Sequence, residues 1–248
     1  MVFSSIANIA KVFFALVSFI GIFYVTMELT YFLSFPKKLL KVEGNPWLIT
    51  SRALLQDMFL LTIFIFQHSF MASTKFKEVL YKIHLGDITR SIYVAATAGV
   101  FWIMLKHWKT TVHFALWEVN LNYKPIFYLY FGIHVTAWII IYVANICTDV
   151  TELLGLKQVY YSFLNLPDPN LRKSYRLRQL TSHMRHPSLI GFLLVFWIFP
   201  FMTLDRILLA SILTCYMYIA WNTDGEDYHY QKCMYQRKYF ELKRMRNY

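Results

Sequence analysis

Long apolar runs alternate with short polar connections along this chain, and the run lengths set the fold class. Crossing a bilayer core of about 30 Å takes around 20 mostly apolar helical residues. Runs of that order lie at 12–35, 53–72, 91–108, 126–148, 188–204 and 207–221. The pattern predicts an all-α polytopic membrane protein with six transmembrane helices, forming a single integral-membrane domain over 1–248. Spans three, five and six are short, which suits a tilted, shallow or merely buried helix. Only Asp205-Arg206 separates the last two runs, so a tight hairpin is expected with that pair as its turn. The first run is too long for a cleaved signal peptide and no small-x-small pattern follows it, so it is expected to serve as a signal anchor. Trp47, Trp108, Trp117 and Trp221 fall near span ends, where an amphipathic ring suits the headgroup layer.

Two connections stand out. Segment 149–187 carries Pro167 and Pro169 and then a basic stretch from Arg172 to Arg185; a connection of that length is expected to be functional or partly helical. In the tail, 222–248, Tyr228, Tyr235, Tyr239 and Leu242 share a helical stripe. This predicts an amphipathic helix along the membrane surface or folded back on the bundle.

Composition narrows the class further. With 57% apolar and 16% charged residues the chain has ample surface to bury, which excludes disorder. Eight Gly and seven Pro exclude collagen-like and low-complexity chains. Three Cys are too few for a disulfide scaffold; Cys147 and Cys215 fall inside spans and Cys233 in the tail, and no disulfide is expected. The net charge of +11 is spread between the apolar runs and not gathered in one patch, so it is read as charge flanking membrane spans and no direct nucleic-acid partner is expected. Six spans put the N-terminus, 73–90, 149–187 and the tail on one side, with 17 Lys and Arg against 8 on the other. The positive-inside bias then places both termini in the cytosol or nucleoplasm.

Ionisable groups inside spans are costly and mark candidate chemistry. Glu28 is the most interior acid and reads as a bundle-facing carboxyl bonded to a neighbouring helix, or as neutral. Asp57 is close enough to a span end to be solvated. His68, beside Gln67 and Ser69, and His134 read first as satisfied packing residues. His183 and His186 are spaced for one helical face, but Pro187 and the missing partner motifs argue against zinc, and no metal is expected. Walker A, GxGxxG and GxSxG patterns are absent. The best local feature is Arg185-His186-Pro187 followed by Gly191, at the mouth of span five, where a helix N-terminus suits an anion. Asp224, Glu226 and Asp227 follow span six. A hairpin returns them to the same membrane side, making either a zwitterion site or a loop salt-bridged to an acidic tail.

Arg185-His186-Pro187-x-x-x-Gly191, a two-helix hairpin, and then Glu226-Asp227 with an aromatic tail resemble the C-terminal core of integral-membrane methyltransferases, including the isoprenylcysteine carboxyl and phospholipid methyltransferases. Gln67-His68-Ser69-Phe70-Met71-Ala72 and Arg90-Ser91-Ile92-Tyr93-Val94 resemble both bacterial methanethiol S-methyltransferases and the nurim family. Lys157-Gln158-Val159-Tyr160-Tyr161, Asp168-Pro169, Ser182-His183-x-Arg185-His186-Pro187 and Asp205-Arg206-Ile207-Leu208-Leu209-Ala210 are similar to nurim. The resemblance covers nearly the whole chain and implies a multi-pass inner nuclear membrane protein without an established activity, on a methyltransferase-like scaffold. It also implies the alternative: an S-adenosylmethionine-dependent methyltransferase acting on a small thiol or a lipid. In that case His186, Pro187, Gly191, Glu226 and Asp227 would bind the cofactor, with His68 and Arg185 catalytic. The chain departs from the enzymes at Arg178–Ser182, where they carry Gly-x-Tyr, and at Glu226-Asp227, where they carry Glu-Glu. The scaffold is therefore expected and turnover is not. A third class is a lipid-binding or interaction protein of the nuclear envelope, using the basic loop and aromatic tail at anionic headgroups.

Overall fold

The computed structural model describes residues 2–35, 44–111, 113–147, 149–167 and 188–220, with 236, 239–240 and 243–244 in the tail. Helix α1 covers Val2–Ser34, α2 Pro46–Ala72, α3 Thr74–Lys82, α4 Thr89–His107 and α5 Lys124–Cys147. Short helices α6 (Val150–Leu153) and α7 (Leu156–Phe163) follow, then α8 (Leu189–Trp197) and α9 (Leu204–Ala220). Strands β1 (Ala115–Glu118) and β2 (Phe201–Thr203) form a two-stranded antiparallel ribbon. Four segments are long and apolar enough to cross a bilayer: Asn8–Ser34, Pro46–Ala72, Gly86–His107 and Lys124–Ile146. They coincide with the first four expected spans.

The last two expected spans differ. The fifth is helical only over Leu189–Trp197; the chain then bends and runs into β2. Pro200 supplies the reason. It has no N–H for a helix and biases Phe199 toward extended backbone. Its carbonyl instead accepts from Val119 N at 2.8 Å, continuing the ribbon. The described residues are mostly helical, as expected, and the short ribbon is an addition to that pattern. Asp205-Arg206 is not a turn either: both residues are buried in the first turn of α9, 17 residues long.

Local chemistry explains the boundaries. Asn45 caps α2 by accepting from Trp47 N at 3.0 Å, and Pro46 sits at the first turn, where its missing N–H costs nothing. Ser73 ends α2 and its hydroxyl accepts from Phe76 N to open α3. The connection 149–167 is partly helical, as expected. Gly155 joins α6 to α7 with φ +93°, and a Cβ there would lie 2.8 Å from the Ser91 nitrogen. That close approach seats the two short helices on the start of α4.

The core runs along the bundle, with Phe32 and Leu33 of α1, Leu61 and Phe64 of α2, Met104 of α4, Ala137 of α5, Val195 of α8 and Leu209 of α9. The outward face of α1 exposes Phe13, Ile20, Met27 and Tyr31. Helices saturate their own backbone bonds, so such a face can meet lipid, and association between the helices then rests on packing and polar contacts. Helix directions divide the bundle into two ends. Ser69 of α2 meets Tyr216 of α9 at 3.0 Å, so these helices run parallel. Ile198 accepts from His134 while Gly191 faces Ala137 and Ile141, so α8 runs antiparallel to α5. Trp197 donates to Thr214 at 3.1 Å. Ser188 and Ala220 therefore both lie toward the end that carries α3, α6 and α7.

Candidate functional site

Polar side chains gather at both ends of the bundle, and the two gatherings differ in kind. At the ribbon end many buried polar groups bond to one another or to backbone, while Thr50 Oγ1, His113 Nε2 and Thr203 Oγ1 carry no hydrogen bond among the described residues. Asp205 accepts from Trp108 Nε1 at 3.0 Å, Thr111 N at 2.9 Å and Thr111 Oγ1 at 2.8 Å. Arg206 donates to the carbonyls of Leu33 at 3.2 Å and Phe32 at 2.5 Å, with its guanidinium 4.1 Å from the Phe199 ring centroid. Asp57 is fully buried and accepts from Lys109 N at 2.9 Å, which corrects the expectation that it is solvated. Trp108 is buried as well, drawn from its expected headgroup position by the Asp205 carboxylate. Trp47, by contrast, is exposed at the start of α2. His134 donates from Nε2 to Ile198 O at 2.8 Å and its Nδ1 lies 3.4 Å from Ser34 Oγ, the satisfied packing residue expected of it.

The other end holds a cavity of about 440 Å³, walled by Met71 and Ala72 of α2, Lys77 and Tyr81 of α3, Gly86, Asp87, Arg90 and Tyr93 around the start of α4, and Gln158, Tyr161 and Ser162 of α7. Arg90 donates from Nε to Leu153 O at 2.6 Å and lies 5.0 Å from the Tyr93 ring centroid. Asp87 pairs with Lys11 of α1 at 2.8 Å and accepts from Ser162 at 3.1 Å. Tyr93 Oη lies 2.8 Å from the ring nitrogens of His68, whose ring also packs on Phe64 and Tyr216. His68 thus adjoins the cavity through Tyr93. The wall made by α6 and α7 is tied by Lys157, 2.7 Å from Asp149. Lys157 and Thr151 hold the Asp149 carboxyl down at about 2, and the same bond pushes the Lys157 ammonium up.

Of the expected site residues, His68 and Gly191 are described. Gly191 is pressed on α5: a Cβ there would meet Ala137 O at 2.7 Å and Ile141 Cγ1 at 2.6 Å, so its small size serves helix packing. Arg185, His186, Pro187, Glu226 and Asp227 lie outside the described residues. So does most of the tail in which an amphipathic helix is expected. Glu28 is half-buried and accepts from Tyr24 of its own helix at 3.2 Å; among the described residues no neighbouring helix bonds it. No group of His, Cys, Asp and Glu side chains fit for a metal occurs among the described residues. The cavity residues Asp87 and Gln158 escaped the sequence reading. Arg90 and Tyr93, one helical turn apart at a span mouth, were the signal that could have found it.

A bundle with four segments able to cross a bilayer, sealed by a buried polar knot at one end and open to a polar cavity at the other, defines a polytopic membrane protein. Comparison makes this more specific. The chain is 34% identical to the nurim homolog of Drosophila melanogaster over 97% of its own length and 99% of that protein. It is 36% identical to that of Drosophila pseudoobscura pseudoobscura over 89% and 91%. It is 36% identical to nurim of Bos taurus over 93% and 94%. The chain belongs to the nurim family. No family model and no solved structure matches it.

Proposed function

We propose that the chain is a multi-pass protein of the inner nuclear membrane, built on a methyltransferase-like scaffold of six crossings with both termini nucleoplasmic or cytosolic. The observation that carries the reading is the return made by α8 and α9, which brings Ser188 and Ala220 to the end holding His68 and Tyr93. The segment bearing Arg185, His186 and Pro187 leads into that end, and the one bearing Glu226 and Asp227 leads out of it. The basic excess on that side supports the nucleoplasmic or cytosolic orientation. Membrane lipids are the partners this architecture implies. Imaging of the tagged full chain tests the address. Enrichment at the nuclear rim after removal of soluble nuclear contents is expected; an even reticular distribution without a rim overturns it.

A second reading is methyl transfer to a small thiol or lipid, favoured by the His68–Tyr93 contact beside the cavity. S-adenosylmethionine, when bound, supplies a methyl group on a sulfonium. The chain's part would be orientation by His186, Pro187, Gly191, Glu226 and Asp227, with Arg185 at the edge of the site and His68 accepting a thiol proton. Calorimetry on the purified chain decides it: saturable binding lost in both His186→Ala and Glu226→Ala supports the reading, and no binding to folded protein removes it.

A further inference from the structure

The acid Glu28 of α1 serves neither reading of the function. It lies inside the apolar stretch Asn8–Ser34. Helix α1 runs from Lys11, paired with Asp87 at the cavity end, to Ser34, which accepts from Trp138 Nε1 at 2.7 Å toward the ribbon end. With a rise of about 1.5 Å per residue, Glu28 sits about 9 Å from the level of Ser34 and about 26 Å from that of Lys11. An ionisable group at such depth in a bilayer is costly and marks a site of function or assembly.

Its surroundings differ from those of the other interior acids. Asp57 and Asp205 are buried and take donors from distant parts of the chain. Glu28 stands at the margin of the outward face, where Tyr24, Met27 and Tyr31 around it are 51%, 72% and 62% exposed. Its one hydrogen bond among the described residues comes from Tyr24 of the same helix, to Oε1 at 3.2 Å. Tyr24 lies four residues nearer the bilayer middle, and helical side chains lean toward the N-terminus. The carboxyl is therefore held in the hydrocarbon and turned away from the headgroups at the ribbon end. Lipid tails offer it no donor.

This face selects its occupant by charge. An acid in hydrocarbon is complemented by a cation. The Tyr24 and Tyr31 rings, one turn to either side, add the π surface that an ammonium or guanidinium favours. A second copy of this chain in a twofold pair brings the same acid to the same depth, acceptor against acceptor. Polar side chains join transmembrane helices where apolar surface alone supplies no driving force.

We propose that the outward face of α1 around Glu28 docks a transmembrane helix of another membrane protein that carries Lys or Arg at the matching depth. The Glu28 carboxyl takes the cation, between the Tyr24 and Tyr31 rings. The proposal rests on α1 crossing the bilayer and on neither reading of the function.

The test uses the labelled full chain in phosphatidylcholine vesicles with synthetic single-span helices of mostly Leu and uncharged polar ends. One helix carries Lys about six residues inside one end, set by the depth of Glu28; two controls carry Leu or Glu there. Energy transfer is expected to show the Lys helix associating about fivefold or more tightly than the Leu helix. Glu28→Gln, which keeps the size of the side chain and is expected to leave the melting temperature unchanged, should remove that preference. Glu28→Lys should transfer it to the Glu helix. Equal association of the Lys and Leu helices, or a Lys preference that survives Glu28→Gln, overturns the proposal. So does self-association of the chain that depends on Glu28, because the face then belongs to a second copy.

Discussion

Asp205→Asn measures how far the ribbon end is held by one carboxylate. In the wild-type chain Oδ1 accepts twice from Thr111 and Oδ2 once from Trp108, all at 2.8–3.0 Å and out of solvent. An asparagine fills the same space but turns one acceptor into a donor. If its oxygen keeps the two Thr111 bonds, its amide meets the Trp108 N–H head-on. One hydrogen bond to a charged acceptor is lost and two donors face each other, a cost of about 1.5–3 kcal/mol. The neighbouring Arg206 loses its nearest countercharge, which adds in the same direction. Trp108→Phe orphans one carboxylate oxygen and by itself costs about 1–3 kcal/mol. In the double variant the opposed donors are gone, so the two effects should fall short of additive by about 1 kcal/mol or more. Reversible unfolding in mixed detergent and dodecyl sulfate supplies the four stabilities. An Asp205→Asn variant within about 0.5 kcal/mol of wild type, or full additivity with Trp108→Phe, refutes the reasoning.

Gly191→Leu is expected to cost about 1–3 kcal/mol and lower the melting temperature, because one of the blocking atoms is a backbone carbonyl that cannot step aside; an unchanged melting temperature contradicts the close α5–α8 contact. A carbon-detected titration should find the Asp149 carboxyl near 2 and, in Lys157→Ala, back toward 3.8. Since the folded value is depressed, the stabilisation of the α6–α7 corner is complete above about 4 and is lost as pH falls toward 2. Helical protection of α7 that persists unchanged through that window would contradict it.

The first four spans were legible because each presents an unbroken apolar run of sufficient length, and run length is what the bilayer selects. Hydropathy could not foresee how the fifth ends, because Phe199-Pro200-Phe201 is as apolar as the helix before it. Pro200 was the cue. Asp57 and Asp205 misled for a related reason. Position near a span end suggests solvent, while burial follows from donors more than 50 residues away, at Lys109 and around Trp108–Thr111. His68 was found as a motif residue, but its partner Tyr93 is supplied by a different helix. The cavity was harder still. Its walls come from α2, α3, α4 and α7, and only folding brings Arg90 beside Gln158.

The central claim is that the chain enters and leaves its last hairpin at the cavity end. Single cysteines placed at Lys77, Arg176, Lys243 and Glu118, in a chain freed of Cys147, Cys215 and Cys233, can be labelled with an impermeant maleimide from one side of sealed vesicles. Positions 77, 176 and 243 are expected to react from the same side and 118 only after the vesicles are opened. Labelling of 176 and 243 from opposite sides would contradict it.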